Sequence, residues 1–455
     1  MTTTGALKEF AAAAIDAKRD WLIGIAKSAL QTPETGFREA KTSRLVHESL
    51  TELGIPHENG IALTGIKGYL KGGSSGPTVA LIGELDSLKV QGHPHADPDT
   101  AAAHACGHHA QLGMVLGAAV GLMVPEVLAE LSGRIALMAV PAEEFIELQY
   151  RWGLRQEGKL GLLSGKQEFI RLGAFDDVDM AMMTHTSASP AESKFSVGGT
   201  SNGHLAKHVR FIGRAAHAGS SPHRGVNALQ AAMVALNAIN TQRETFRDAD
   251  AVRLHGILTS GGSAANSIPA EVEYEGRVRG ISAEAITDAA SKMDRCLRAG
   301  ALALGSKVEI LTVPGYLPMV NNEPMTKGFK ANCERLMGHG ACKVYPDSRT
   351  RGGSTDLGDV SHIVPAIHPY TGGATGSGHG TDYLVNDYEQ AVINPAKAIA
   401  MTAIDLLANR AAMAKEVTAK SKPRMTKKQY LKLQTKRFSE EVYDPAPRAS
   451  RSGLA

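Results

Sequence analysis

The chain has 455 residues, 43% hydrophobic and 21% charged, with a formal net charge of +3. This length suggests two or three domains, and so small a charge gives no reason to expect a nucleic-acid-binding protein. The charge is uneven, because residues 411–455 hold 11 Lys or Arg and 4 Asp or Glu. We interpret this basic tail as a solvated helix followed by a disordered end, with a surface or partner contact as the alternative.

Cysteine usage and the N-terminus favour a cytoplasmic protein. The four cysteines are too few for a disulfide scaffold and fit reduced thiols; they are Cys106, Cys296, Cys333 and Cys342. Charged residues lie on both sides of the N-terminal alanine run, so we expect no signal peptide. The longest apolar stretch, Leu112–Val124, has 13 residues and is too short to span a membrane.

Strands and helices alternate over the first 197 residues. Helices are predicted over residues 5–30, 41–53 and 109–123, and strands over residues 66–71, 78–85, 134–140 and 179–184. The second strand, TVALIGEL, is a nearly continuous apolar run, which is typical of a strand covered on both faces. The alternation predicts an α/β sheet.

The pattern changes near residue 198. Strands are predicted over residues 204–213, 253–262, 271–280 and 307–313, and helices over residues 227–243 and 283–304. This β-α-β-β-α-β order is that of a ferredoxin-like module. The first layer resumes with strands near 341–345 and 363–367 and a helix over 390–409. We therefore predict a catalytic domain in two parts, an inserted domain and a basic extension, over residues 1–197 and 314–410, 198–313, and 411–455.

Candidate metal ligands lie in four local motifs. Cys106 and His108 lie in HACGHH, Glu144 in PAEEF, His185 in MMTHTS and His379 in GGATGSGHG. A thiolate, imidazoles and a carboxylate are ligands for a divalent transition metal such as zinc. Taken singly, each has a structural alternative: a buried Cys beside a core His, a solvated loop acid, or a surface His. Together they predict a two-metal hydrolase.

Several of these residues follow predicted strands. Glu143 and Glu144 come after one buried strand and His185 ends another, and the carboxyl ends of strands are where an open α/β sheet places its site. Adjacent side chains at a strand end point in opposite directions, so one carboxylate can bind metal while the other serves as a base. Asp86 ends a third strand, where an acid can orient a ligand imidazole.

Long motifs in order carry a family resemblance from about PETGF (33–37) to about residue 409. They are GELDSL, HACGHH, PAEE, GRAAHAGSSPHRGVNAL, RLHGILTSGGSAANSIPAE and GGSTDLGDVSHIVPAIHPY. The chain resembles the zinc-dependent amidohydrolase and peptidase family that includes aminoacylase, the auxin-conjugate hydrolases and p-aminobenzoyl-glutamate hydrolase. Its motifs are most similar to those of the branch that contains β-alanyl-lysine dipeptidase.

The resemblance implies a role for each matched position of the metal site. Cys106 would bridge two metal ions. His108 and His185 would complete one site, and Glu144 and His379 the other. Glu143 would be the general base and then the acid.

The resemblance also extends to the inserted domain, which in this family mediates dimerisation. His217 would reach a neighbouring active site and stabilise the tetrahedral intermediate, although its Gly/Ala/Ser loop alone suggests a surface residue. Asn266 precedes an Ile-Pro turn and would touch the substrate. Arg279 is an alternative binder of a substrate carboxylate, or pairs only within its sheet.

The chain departs from the family pattern at three places. Other branches have a His where Glu84 stands, so that His108 replaces the missing ligand. Many relatives have Asp where this chain has His109. The Gly-rich run that usually follows PAEE is replaced by residues 145–166, an apparent insertion whose Tyr150, Arg151, Trp152 and Arg155 we expect to reshape the pocket.

The sequence thus predicts a cytosolic amidohydrolase that forms a homodimer or a higher homo-oligomer and holds two metal ions, first Zn²⁺ and otherwise Mn²⁺ or Co²⁺. Its expected substrate is an N-acyl amino acid or dipeptide with a free carboxylate. Three alternatives stay open. They are a xenobiotic amide without that carboxylate, a catalytically silent binding subunit, and a nucleic-acid binder that uses the tail, whose binding would depend steeply on salt.

Overall fold

The computed structural model describes residues 2–189 and 194–445 and divides into two compact units. The first unit contains the chain up to Thr200, Met319–Arg351 and Asp356–Lys428. The second contains Ser201–Pro318, Gly352–Thr355 and the chain from Gln429 onward. The predicted fold class, an α/β domain with an inserted ferredoxin-like domain, is confirmed.

A mixed six-stranded sheet forms the centre of the first unit. In spatial order its strands are His57–Ile61, Gly65–Lys71, Ser132–Val140, Ser74–Glu84, Met180–Met182 and Ala366–Ile367. The first three pair antiparallel and the last four parallel. Ser74–Glu84 is buried from Thr78 onward, as its apolar run predicts for a strand covered on both faces.

The first unit also contains helices. They are Thr4–Ala17, Arg19–Leu30, Ala40–Glu52, His108–Leu122, Pro125–Leu128, Leu148–Gln156, Gly165–Leu172, Glu323–Met337, Leu357–Ser361 and Asn394–Lys420. His108–Leu122 is buried at every position except Val120, which is typical of a core helix. A π-helical turn, Glu389–Ile393, leads into the last helix. That helix leaves helical geometry at Ala408–Ala411.

The prediction of one helix over residues 5–30 is wrong, because the chain breaks at Lys18 into two helices. The apolar pattern does not reveal the break. Buried Ile15 and Leu22 are seven residues apart, which is the spacing that one continuous helix would show.

Smaller sheets complete the first unit. A four-stranded sheet has the spatial order Cys342–Thr350, Phe195–Thr200, Tyr370–Thr371 and His185–Thr186. Two short pairs are Leu88–Lys89 with Ala102–Ala103 and Ala374–Thr375 with Leu384–Val385.

The second unit contains an antiparallel sheet and the two long helices of the inserted module. The strands are, in spatial order, Arg253–Ser260, Glu271–Gly280, Gly203–Ile212, Lys307–Pro314 and Ser439–Tyr443, and the helices are Ala228–Thr241 and Ala283–Leu304. Glu271–Gly280 alternates buried and more exposed residues, as a half-buried strand does. Ser282 caps the longer helix by accepting from Ala285 N–H, and Gly305 ends it with φ 68°.

The tail has more regular structure than its composition suggests. The helix predicted over 390–409 is interrupted where the backbone leaves helical geometry at Ala408–Ala411, and a further helical segment then runs to Lys420 with Ala411, Ala414 and Val417 buried. Lys427–Arg437 forms another helix. Ser439–Tyr443 then pairs antiparallel with Lys307–Pro314. This edge strand is mostly exposed. It forms through backbone pairing, and its sequence lacks the apolar alternation that would predict a strand. Residues 446–455 lie outside the described residues.

One segment, Glu389–Lys420, is long and apolar enough to cross a membrane by length and composition alone. In its most apolar window 83% of the residues are buried inside the fold. This burial is typical of a core helix.

Candidate active site

The carboxyl ends of three neighbouring parallel strands meet at one edge of the first unit's central sheet. Ser74–Glu84 leads to Asp86, Ser132–Val140 leads to Glu143 and Glu144, and Met180–Met182 leads to His185. The loop before the buried helix His108–Leu122 adds Cys106 and His108. Parallel pairing therefore brings together residues that are far apart in sequence.

Gly107 gives the Cys106–His108 loop its shape. Its φ is 88°, a left-handed conformation that glycine adopts without strain. An added Cβ would lie 2.0 Å from Thr186 Oγ1, so the close packing also requires glycine. Cys106 Sγ lies 3.3 Å from His185 Nε2.

Three overlapping groups of side chains each place their ligand atoms within 4.8 Å of one another. The groups are Cys106, His108 and His185; Cys106, Glu144 and His379; and Glu84, His108 and Glu143. The five ligands predicted from the sequence are all in these groups. Glu84 is the member that the sequence analysis did not include in the site.

Asp86 contacts both sides of the site. His108 Nδ1 lies 2.9 Å from the Asp86 carbonyl oxygen and 3.3 Å from its carboxylate. Asp86 Oδ2 also accepts a 2.8 Å hydrogen bond from Glu144 N–H. Such a contact fixes the orientation of the His108 ring; the orienting role of Asp86 stays a prediction. Because Asp86 contacts Nδ1, Nε2 is the His108 nitrogen that is left to bind a metal. Nε2 lies 3.0 Å from Glu84 Oε2 and 4.0 Å from Glu143 Oε2.

His379 and Glu144 form the second side. His379 has φ 65° and its side chain is 57% exposed, whereas Glu144 is buried. His379 Nε2 lies 3.4 Å from Glu144 Oε1. That oxygen makes no hydrogen bond within the part of the chain that the structure describes, so its lone pairs are left for a cation.

The acidic groups perturb one another strongly. Burial, together with the Glu84 and Glu144 carboxylates, raises the pKa of Glu143 well above its ordinary value. Burial and Glu144 also raise the pKa of the Cys106 thiol. The pKa of His108 is raised well above 6.5 because Glu84 and Cys106 outweigh its burial. Without a cation, each of these shifts favours the protonated form of the side chain. A metal cation would instead favour the thiolate, the carboxylate and the neutral imidazole.

Buried acids outnumber buried cations in this region. The cations are Arg151 and Lys166, and the acids are Glu39, Glu84, Asp86, Glu143, Glu144 and Asp356. Buried carboxylates persist when they are paired or bind metals, so this excess of acidic groups favours the binding of cations. The thiolate, imidazole and carboxylate donors suit zinc-type ions.

A buried lysine behind the site was missed by the sequence analysis. Lys166 Nζ lies 2.5 Å from both Glu84 Oε1 and Asp356 Oδ1, and Gln111 Nε2 donates to the other Glu84 oxygen at 2.8 Å. The one signal in the sequence was Glu84 itself, a charge at the end of an apolar strand. Because the two partners of Lys166 lie 82 and 190 residues away in the sequence, no local sequence pattern reveals these contacts.

Arg151 and Arg155, which we expected to reshape the pocket, both donate to backbone carbonyls: Arg151, which is fully buried, to Ala142 O and Leu163 O, and Arg155 to Gly161 O. Tyr150 donates to the Phe37 carbonyl at 3.3 Å. His109, which replaces the usual Asp, is buried beside His104, and burial with that neighbour holds its pKa well below 6.5.

The remaining predicted residues belong to the second unit. His217 is exposed, and its Nδ1 accepts from Gly219 N–H and Ser220 N–H at 3.1 Å each. The Asn266 carbonyl accepts from Ala218 N–H at 2.9 Å, so the His217 and Asn266 loops are adjacent. Arg279 donates to Ser354 Oγ at 2.8 Å and to His255 Nε2 at 3.1 Å.

Comparisons with known proteins agree with this architecture. Residues 200–303 match the family model of the peptidase dimerisation domain (M20_dimer). A Xaa-Arg dipeptidase of Mus musculus is 31% identical over 342 residues, which are 72% of this chain and 70% of the relative. The IAA-amino acid hydrolase ILR1-like 4 of Arabidopsis thaliana is 25% identical over 78% of this chain and 77% of the relative.

Solved structures show the same fold. A Bacillus subtilis protein described as a dinuclear metal binding peptidase from the M20 family superposes with a TM-score of 0.62 at 20% identity. The match covers 86% of this chain and 99% of that one.

The fold and the matched relatives together define a hydrolase of amide or peptide bonds built on a two-domain peptidase scaffold. The chain belongs to the M20 family of peptidases and amidohydrolases.

Proposed function

We propose that this protein is a dinuclear metal-dependent amidohydrolase that cleaves the amide bond of N-acyl amino acids or dipeptides. The observation that carries the proposal is the convergence of five metal-ligand side chains with one further carboxylate, Glu143, at the carboxyl ends of parallel strands. Packing alone does not explain why so many acidic groups are buried here.

The metal ligands follow the three groups of side chains described above. Cys106 is shared by the group with His108 and His185 and the group with Glu144 and His379, so it would contact both ions. His108 and His185 would complete one metal site, and Glu144 and His379 would complete the other. Zinc is the first choice because a thiolate is present, and Mn²⁺ or Co²⁺ can occupy such a site. When bound, the ions supply Lewis acidity and lower the pKa of water.

Glu143 is the base. It takes a proton from the attacking water and passes it to the leaving amine. Its side chain is 10% exposed and its carboxylate lies 4.0 Å from His108 Nε2, close to the ligands without being one of the five. Desolvation of this kind suits a carboxyl that must both accept and donate a proton.

The second unit supplies dimerisation and contacts to the substrate. Because His217 Nδ1 accepts two backbone N–H groups, the proton of the neutral ring lies on Nε2, which can then donate to the oxyanion. In a homodimer this donor reaches the site of the other subunit. Asn266 and Arg279 are the proposed contacts to the substrate, with Arg279 binding its carboxylate.

The substrate class rests on the relatives. Both the dipeptidase and the IAA-amino acid hydrolase are named for substrates in which an amide joins an amino acid to a second group. The protein is proposed to act in the cytoplasm, where its four free cysteines would stay reduced.

A substrate panel tests this proposal. Metal-replete protein is assayed on matched pairs: N-acyl amino acids and dipeptides against the same compounds with the carboxylate converted to an amide. We expect kcat/KM to fall at least about 10-fold without the carboxylate, the size of losing one charged hydrogen bond. Equal rates on both members would refute the carboxylate requirement, and no hydrolysis at all would refute the proposed activity.

A further inference from the structure

The loop that carries Glu143 and Glu144 is held in a strained shape. Ala142, directly before the two acids, has φ 57°, a left-handed conformation that is unfavourable for a non-glycine residue. Such a conformation persists only when surrounding groups fix it.

One buried side chain binds the carbonyl groups on both sides of Glu143. Arg151 Nη1 donates to Ala142 O at 3.1 Å, and Nη2 donates to Glu144 O. Nη1 also donates to Leu163 O at 2.8 Å, which ties the far end of the inserted stretch to the same guanidinium.

Two buried carboxylates bind the N–H groups of the same two residues. Ala142 N–H donates to Glu39 Oε1, and Glu144 N–H donates to Asp86 Oδ2, each at 2.8 Å. The N–H and C=O groups of the residues before and after Glu143 are thus all bound by charged side chains. Asp86 also contacts His108, so the loop and a proposed metal ligand share one partner.

The guanidinium itself has little freedom. Arg151 is 1% exposed and its charged group lies 5.3 Å from the centre of the Phe37 ring and 5.5 Å from that of Phe145. A Cβ on Gly36 would lie 2.4 Å from Arg151 Nη2. Two nitrogens of one planar fork serve the three carbonyls, and the compact ammonium of lysine does not match this spread and fixed direction of donors.

We propose that Arg151 is a positioning residue that fixes the Glu143–Glu144 loop for catalysis and metal binding. The inserted stretch, residues 145–166, therefore acts on the two glutamates through the helix Leu148–Gln156, which carries Arg151. This inference rests on the proposed function for its kinetic part alone, since the loop geometry can be measured without any substrate.

The test compares Arg151→Lys with Arg155→Lys. Arg155 is a matched control because it lies one turn further along the same helix and donates to Gly161 O, outside the glutamate loop. Loss of a group that orients ligands typically costs about 10- to 100-fold in metal affinity or activity. We expect Arg151→Lys to lose at least about 10-fold in Zn²⁺ affinity, measured by competition with a chelator, and at least about 10-fold in kcat with KM changed less than about 2-fold.

Hydrogen exchange supplies a readout independent of activity. The amides of Ala142 and Glu144 should exchange slowly in the wild type and at least about 10-fold faster in Arg151→Lys, since their hydrogen bonds open when the loop loosens. Added guanidinium should partly restore kcat in Arg151→Ala and not in Arg155→Ala.

Two results would overturn the inference. One is Arg151→Lys matching Arg155→Lys in metal affinity and amide exchange. The other, which applies even if no Arg151 variant folds, is fast exchange of the Ala142 and Glu144 amides in the wild type. If the wild type hydrolyses nothing, the proposed function fails while metal affinity and exchange still decide the role of Arg151.

Discussion

Lys166→Met tests whether the buried charges behind the site are coupled as the structure indicates. The Lys166 ammonium is fully buried and lies 2.5 Å from one oxygen each of Glu84 and Asp356. With an effective dielectric constant of about 20, each such contact is worth roughly 7 kcal/mol of Coulomb attraction. Most of this is offset by desolvation of the three groups.

What remains after substitution is a pair of buried carboxylates without a cation. Removing one partner of a buried ion pair costs about 3–5 kcal/mol, and we expect this loss in the unfolding free energy of the metal-free protein. Both tryptophans of the chain, Trp21 and Trp152, lie in the first unit, so their fluorescence during urea denaturation reports on the unit that holds the site.

Lys159→Met is the matched control. Lys159 is more than half exposed and pairs only with exposed Glu157, so its removal should leave the denaturation midpoint unchanged. Adding Asp356→Asn to Lys166→Met should recover part of the loss, because one uncompensated charge disappears. A loss below about 1 kcal/mol in Lys166→Met would refute the coupling, because removing one partner of an ion pair buried this deeply leaves an uncompensated charge unless water enters.

Three further predictions concern the metals, pH and the dimer. Cys106→Ser should reduce bound metal below the wild-type value, and full occupancy by elemental analysis would show that Cys106 does not bridge. Burial and Asp86 raise the pKa of Glu39 from 4.5 to about 7, so native metal-free protein binds this proton more tightly than the unfolded chain and loses stability as pH rises from about 4.5 to about 7. Glu39→Gln should flatten that decline, and an unchanged pH profile would contradict it. If His217 acts across a dimer, a Glu143→Gln protein mixed with a His217→Ala protein should regain activity after subunit exchange; proven exchange without recovery would place His217 in its own subunit's site or in a structural role.

The elements that the sequence predicted correctly are those with a local signal. Glu271–Gly280 alternates in burial and Ala283–Leu304 carries its own caps, so both could be recognised within a short window. Cys106 and His108 share one motif, and Glu143 and Glu144 share another. Their roles as ligands and base remain predictions, although the structure brings the side chains together.

The features that were missed have no local signal. The contacts of Lys166 join residues 82 and 190 positions away. Ser439–Tyr443 is a strand because it pairs with Lys307–Pro314, not because of its side-chain pattern. Arg151 was expected to shape the pocket as part of an insertion, and only the fold shows that its side chain donates to the carbonyls around Glu143.

The central claim is that Glu143 drives a metal-dependent hydrolysis without itself holding the metals. The most direct measurement is kcat and metal content of Glu143→Gln beside Glu157→Gln, an exposed control, on the best amide substrate of the panel. We predict that Glu143→Gln keeps about two metal ions per chain while kcat falls at least about 10²-fold, and that Glu157→Gln is unchanged in both. Turnover of Glu143→Gln near the wild-type rate, with both metals bound, would contradict the account.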